Sequence, residues 1–110
     1  MHRPGIDPEN VRMEDVLCDF CAAPWAEGVP LVEGHRGAVV CGTCLTNAYR
    51  ALVLESRGTA SPGEECRLCL ERRNEIMWLG ATGASACLRC VRQSAGVLAK
   101  DPDYGWKRPV

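Results

Sequence analysis

The sequence predicts a small α+β fold, metal-stabilised and built as two tandem fingers, each a cysteine turn, a β-hairpin and a helix. Three observations carry this. The eight cysteines form four C-x-x-C pairs: Cys18/Cys21, Cys41/Cys44, Cys66/Cys69 and Cys87/Cys90. The stretch Gly34 to Cys44 and the stretch Gly80 to Cys90 both spell G-x-x-G-A-x-x-C-x-x-C, so the chain is an internal repeat. Each copy is also too short to bury enough apolar surface unaided, and units of roughly 45 residues usually need a cross-link.

The cross-link could be disulfide or metal. Met1 to Leu17 is polar, carries Arg3, Asp7, Glu9, Arg12, Glu14 and Asp15, and has no apolar core of the kind an export signal needs. The expected compartment is therefore the reducing cytoplasm, where such cysteines read as metal ligands. Nineteen residues separate the pairs in the first copy and seventeen in the second, a spacing suited to closed structural Cys₄ zinc sites. Iron in a rubredoxin-like centre would use the same ligands. Two Zn²⁺ ions are the expected cofactors.

Which pairs share an ion is a separate question, because a cross-brace would join the first pair to the third and the second to the fourth. Duplication argues against it, since each ancestral copy had to close its own site. Cys18, Cys21, Cys41 and Cys44 then form one ligand set, and Cys66, Cys69, Cys87 and Cys90 the other. On this reading the fingers are independent, and losing one ion spares much of the other unit.

In chain order, residues 1–17 form an N-terminal extension. Asp7-Pro8-Glu9 looks like an N-cap with proline at the first helical position, so a short helix over Pro8 to Val16 is expected. The first finger spans 18–57. Cys18-Asp19-Phe20-Cys21 is its knuckle, Ala22 to Gly28 a loop with Trp25 as a candidate lid, and Val29 to Glu33 and Ala38 to Val40 its strands. Gly34 and Gly37 bracket the turn between them, where positive φ favours glycine. A helix over Thr43 to Ser56 follows, with Leu45, Ala48, Tyr49, Leu52 and Val53 on one face and Gly58 suited to the residue just past its end. A helix start beside the second cysteine pair offers free N–H donors and partial positive charge to an anionic Zn(Cys)₄ centre.

Residues 58–65 form a linker. The second finger, 66–100, repeats the plan with the knuckle Cys66-Arg67-Leu68-Cys69, strands Ile76 to Leu79 and Ala84 to Ala86, and a helix from Leu88 to Lys100 that Gly96 weakens. In the tail, 101–110, Tyr104 and Trp106 are expected to fold back onto the second finger.

Composition narrows the function. Thirteen basic residues face fourteen acidic ones, and eight thiolates on two Zn²⁺ ions would take the formal charge from −1 to −5, a poor balance for a general nucleic-acid binder. The second half is the more basic, and Arg67, Arg72, Arg73, Arg89 and Arg92, with Trp78 for stacking, form a candidate nucleic-acid or partner surface. Glu71 and Glu75 among them also fit a salt-bridged solvated face. No run approaches the ~18 apolar residues of a membrane span. No carboxylate pair, Ser-His-Asp arrangement or phosphate loop is present, and filled coordination spheres leave no open metal position. His35 reads as an exposed turn residue and His2 as inert. The expectation is a soluble, non-enzymatic protein without a small-molecule substrate, acting in protein–protein interaction or self-association, with nucleic-acid binding as the alternative.

The first copy also resembles a known family. Cys18-Asp19-Phe20-Cys21, then Leu31-Val32-Glu33-Gly34, then Val40-Cys41-Gly42-Thr43-Cys44-Leu45, is similar to the Cys₄ zinc-binding domain at the N-terminus of the ClpX protein unfoldase. The resemblance covers about residues 18 to 55. It implies a treble-clef-type zinc finger, with the ligand role on Cys18, Cys21, Cys41 and Cys44, and a domain that dimerises and binds adaptors and substrate proteins. The chain departs from that family in its longer segment between the pairs, in Ala22 where the family has glycine after the knuckle, and in having no ATPase module. Unfoldase activity is not implied.

Overall fold

Each half of the chain builds its elements in the same order: C-x-x-C turn, hairpin, helix. The computed structural model describes residues 1–26 and 29–110; Glu27 and Gly28 of the expected loop lie outside the described residues. In the first half, β1 (Leu31–Glu33) pairs antiparallel with β2 (Val39–Cys41), and α1 (Gly42–Tyr49) starts directly after β2. In the second, β3 (Met77–Leu79) pairs with β4 (Ser85–Cys87) and α2 (Leu88–Ala99) follows. The registers Leu31 with Cys41 and Met77 with Cys87 are equivalent. The repeat in the sequence is therefore a repeat in the hydrogen bonding.

The conserved spelling of the turns has two different physical causes. Gly37 and Gly83 adopt positive φ, +75° and +93°, a region that costs a residue with a Cβ roughly 1–2 kcal/mol. Gly34 and Gly80 are glycine because another backbone lies against them. A Cβ on Gly34 would stand 2.7 Å from the Leu68 carbonyl oxygen, and one on Gly80 2.7 Å from Phe20. Leu68 and Phe20 are the third residues of the two knuckles, so each knuckle packs on the other copy's turn.

That reciprocal packing replaces the expectation of two independent fingers. Phe20, Val32, Leu45 and Leu52 from the first half share one buried cluster with Leu68, Met77, Val91 and Leu98 from the second. The backbone closes the same contact, with the His35 N–H donating to the Leu68 carbonyl at 2.8 Å and the Thr82 N–H to the Phe20 carbonyl at 3.2 Å. A radius of gyration of 13.5 Å equals the ~13 Å expected of a single 100-residue domain. Two half-sized units, each short of core, have merged their apolar faces.

Several other expectations change. The proposed helix over Pro8 to Val16 reduces to a 3₁₀ turn at Met13–Asp15, because residues 16 and 17 are drawn into extended bridges, Val16 with His2 and Leu17 with Pro24. The first helix leaves the α form at Arg50 and finishes as a π turn, Arg50–Leu54. The left-handed residue at its end is Ser56, φ 50°, and the Arg57 N–H returns to the Ala51 carbonyl at 2.7 Å. Gly58 instead lies under the Ile76 side chain. The linker is not a passive connection, since Thr59 and Ala60 both donate to the Met77 carbonyl and extend the β3 edge. Trp106 docks on the first half rather than the second, beside Pro30 and Gly42, with its indole N–H donating to Thr46 Oγ1 at 3.0 Å.

Candidate metal centres

The two ligand sets assemble within the copies. Cys18, Cys21, Cys41 and Cys44 place their sulfurs within 4.8 Å of one another, and so do Cys66, Cys69, Cys87 and Cys90. Each group is close enough to bind a metal ion. The cross-brace alternative is not what these groupings give, because no sulfur of one set belongs to the other.

Local geometry explains why the sulfurs converge. The C-x-x-C turn aims its backbone donors inward: the Phe20 N–H points at Cys18 Sγ at 3.4 Å, and the Cys41 N–H reaches the same sulfur at 3.4 Å. In the second copy the Cys87 N–H reaches Cys66 Sγ at 3.3 Å. The second pair sits at the strand-to-helix junction, where Cys41 is the N-cap of α1 and its sulfur accepts the Cys44 N–H. Donors placed this way favour thiolate over thiol.

All eight cysteines are free, and the spacing suits coordination rather than disulfide formation. Cys21 and Cys41 sulfurs lie 3.8 Å apart and Cys69 and Cys87 sulfurs 4.0 Å, against ~2.05 Å for a disulfide. Tetrahedral coordination with metal–sulfur bonds of ~2.3 Å places sulfurs about 3.8 Å apart. Crowding four thiols this closely also has an electrostatic consequence. Hydrogen bonds from Cys41 and Cys44 hold Cys18 well below the usual thiol range. Its hydrogen bond and charge push Cys41 up to about 11. In the second set Cys66 is lowered in the same way and Cys87 is pushed up to about 12. Without a cation one sulfur ionises at the expense of its neighbours. A divalent ion removes the conflict.

The knuckles share an uncommon backbone feature. The residue after each one, Ala22 and Leu70, has positive φ, 62° and 61°, and donates its N–H to the first cysteine's carbonyl at 2.8 Å. The glycine that is missing after the first knuckle is thus missing at a position that needs a left-handed residue.

The arginines of the candidate surface do not act as a free cluster. Arg67 bonds Asp19 through Nε at 2.9 Å. Arg72 donates to the Gly63 carbonyl at 3.2 Å. Arg73 pairs with Glu71, and Arg89 lies 3.9 Å from the same carboxylate. Arg92 is exposed on α2. Trp78 is half-buried and its ring packs on Phe20, centroids 5.7 Å apart, so it serves the contact between the copies rather than an open stacking platform. His35 lies in the exposed 3₁₀ turn His35–Gly37, apart from both sulfur groups.

One anchoring residue escaped the sequence reading. Asp19 has a side chain only 2 % exposed, where it accepts from the Val39 N–H at 2.7 Å, from Arg67, and from the Met1 amino group at 2.7 Å. Burial alone would raise its pKa, but these hydrogen bonds outweigh that and hold the carboxyl below its ordinary value. The only available signal was that Asp19 and Arg67 fill the same place in their two knuckles.

Among the described residues no helix is long and apolar enough to cross a membrane. No protein-family description matches the chain, and comparison with curated proteins and with solved structures gives no significant match.

Proposed function

We propose that the chain is a non-enzymatic zinc protein, two treble-clef-type fingers fused into one body, that works in the cytoplasm as a protein-interaction module. The observation that carries this reading is the completeness of the two sulfur cages. Four cysteines at each centre supply every ligand a tetrahedral ion takes, which suits a structural Zn²⁺ and leaves no position for a reacting water. A set of soft thiolates favours zinc over hard cations, and thiols survive unpaired in a reducing compartment.

Protein binding is favoured over nucleic-acid binding by how the arginines are engaged. Arg67 and Arg73 are bonded to carboxylates of their own chain, and the carrier of the proposed stacking, Trp78, packs on Phe20. Met13, Leu79 and Val97 are instead exposed apolar side chains, of the kind a partner surface uses. The ClpX-type domain resembled by the first half implies pairing of two such fingers. Here the duplicated halves meet each other, so the pairing is satisfied inside one chain, and a separate protein is the better candidate partner than a second copy.

Affinity capture with the zinc-loaded chain, compared with the Cys44→Ser protein, tests the reading. Partners are expected only with the folded, loaded form. Binding to random-sequence RNA or DNA that falls steeply with salt and is lost in the Arg72→Glu/Arg73→Glu double variant would replace this reading with the nucleic-acid one.

A further inference from the structure

The repeat supplies an internal reference, because a position in one copy has a counterpart in the other. Val32 and Trp78 are counterparts, each the middle residue of its first strand, paired with Val40 and Ala86. Leu68 and Phe20 correspond in the knuckles. Val97 and Ala51 correspond in the helical segments, each seven residues after the last cysteine of its copy.

At one end of the molecule the Trp78 ring lies on Phe20, β3 packs on the Arg50–Leu54 turn that carries Ala51, and Ala51 is 5 % exposed. At the counterpart place valine stands where the other copy has tryptophan. A cleft of about 410 Å³ opens there between the first hairpin turn, the second knuckle and α2, within the ~300–1,000 Å³ range of clefts that hold ligands. Val32 and Leu68 line it as buried side chains, and Val97 on α2 is 63 % exposed. The place that one copy covers with its own ring is open in the other.

The charges along the cleft are unevenly committed. Glu71 pairs with Arg73 and lies 3.9 Å from Arg89. Glu33 is exposed and, among the described residues, takes part in no ion pair. The uncommitted charge at this rim is therefore negative.

We propose that this cleft docks an aromatic side chain of a partner protein with a basic residue beside it, the partner's ring lying on Leu68 as Trp78 lies on Phe20, and its cation facing Glu33. The inference rests on the protein-interaction reading above and names the segment recognised. A ring brings ~150–250 Å² of surface to such a contact, and tryptophan seated in a pocket is a frequent energetic anchor of interfaces. The rim charge contributes selection of the partner more than affinity.

The test uses the full metal-loaded chain and, as probe, an acetylated five-residue peptide with a central tryptophan flanked by lysines. Methyl NMR should show saturable shifts at Val32, Leu68 and Val97 by the ring current, and the same peptide with alanine for tryptophan should shift none of them. Val32→Trp should fill the cleft from within and abolish binding. Glu33→Gln should weaken it about 2- to 5-fold, the scale of a solvent-exposed charge pair. Val97→Asp alters an exposed side chain and should also abolish binding, which keeps the test open if Val32→Trp folds poorly. No saturable shift at these methyls, binding that survives both Val32→Trp and Val97→Asp, or a dimer of the chain that closes over Val97 would overturn the inference. Affinity-captured partners that remain bound to Val97→Asp would overturn it while leaving the protein-interaction reading in place. Salt-sensitive nucleic-acid binding with no protein partner would instead overturn the reading on which it rests.

Discussion

Asp19 and Arg67 are the same residue of the repeat, the second of each knuckle, and they touch, with Arg67 Nε 2.9 Å from Asp19 Oδ1. Residues related by an internal duplication meet only at the pseudo-axis that relates the copies. A repeat with identical residues there would have placed like charges in contact, so divergence to opposite charge at this position is what lets the two knuckles approach.

The burial of the pair is unequal, and so is its expected energetics. The Asp19 side chain is 2 % exposed and that of Arg67 50 %. Asp19→Ala removes the acceptor of the buried Val39 N–H as well as the ion pair, and should lower stability by about 2–4 kcal/mol. Arg67→Ala should cost no more than ~1 kcal/mol, since Arg67 is half in water. Denaturant titration in excess zinc measures both, and equal costs would contradict the assignment of Asp19 as the buried anchor.

Gly80→Ala should be worse than Gly83→Ala, although both glycines lie in one turn. A Cβ at Gly80 meets Phe20 backbone and side-chain atoms at 2.7 to 2.9 Å, whereas one at Gly83 meets no atom and carries only the cost of the positive φ. Steric overlap in packed structure costs about 1–3 kcal/mol, and it falls on the contact between the halves. The thermal transition of Gly80→Ala should stay single while moving down; two separated transitions would show that the copies melt independently.

Cys44→Ser should unfold the whole chain. Leu45 and Leu52 of the first half share the core with Met77 and Val91 of the second, and a structural metal ion lost from a site of this kind takes with it on the order of 10 kcal/mol of folding energy. Native mass spectrometry of the variant should show both ions leaving together, with few one-ion molecules. A well-populated form that keeps one ion and a folded second half would restore the independent-finger picture.

Metal affinity should fall as pH falls, with a sign fixed by the thiols. Cys41 is pushed up to about 11 and Cys87 to about 12 when no cation is present, so both are protonated at neutral pH and must lose their protons on binding. Zinc uptake should therefore release protons, which calorimetry in buffers of different ionisation enthalpy detects. Uptake without proton release would mean the ligands are already ionised.

Ala22→Gly should leave stability unchanged or raise it by up to ~1 kcal/mol, because relief of the left-handed cost slightly exceeds the added chain entropy. Ala22 is exposed, so no burial is lost. A drop in zinc-loaded stability would assign the methyl group a contact it does not have in this structure.

The ligand sets, the hairpins and both helix starts were legible because each rests on local chemistry: cysteine spacing, glycine at the turns, and apolar periodicity after Cys44 and Cys90. Boundaries moved by at most two residues, and the first helix ended at a π turn that periodicity does not signal. The association of the halves was not legible. It depends on Phe20 meeting Gly80 and Leu68 meeting Gly34, contacts between residues 60 and 34 positions apart. The sequence does show both glycines as repeat-invariant, but a glycine kept for close approach reads the same as one kept for its φ. Trp78 looked like a surface aromatic and Trp106 like a cover for the second finger for a related reason, since nothing local says which half a ring will cover.

The exposed connection at Ser61-Pro62-Gly63 is the only covalent link between two halves that grip each other through Phe20, Gly80, Leu68 and Gly34. Severing it in the native, loaded protein should therefore leave the pieces bound as a non-covalent pair. Each piece made alone would carry an uncovered sticky face, and co-expression of the two should restore solubility that neither has by itself.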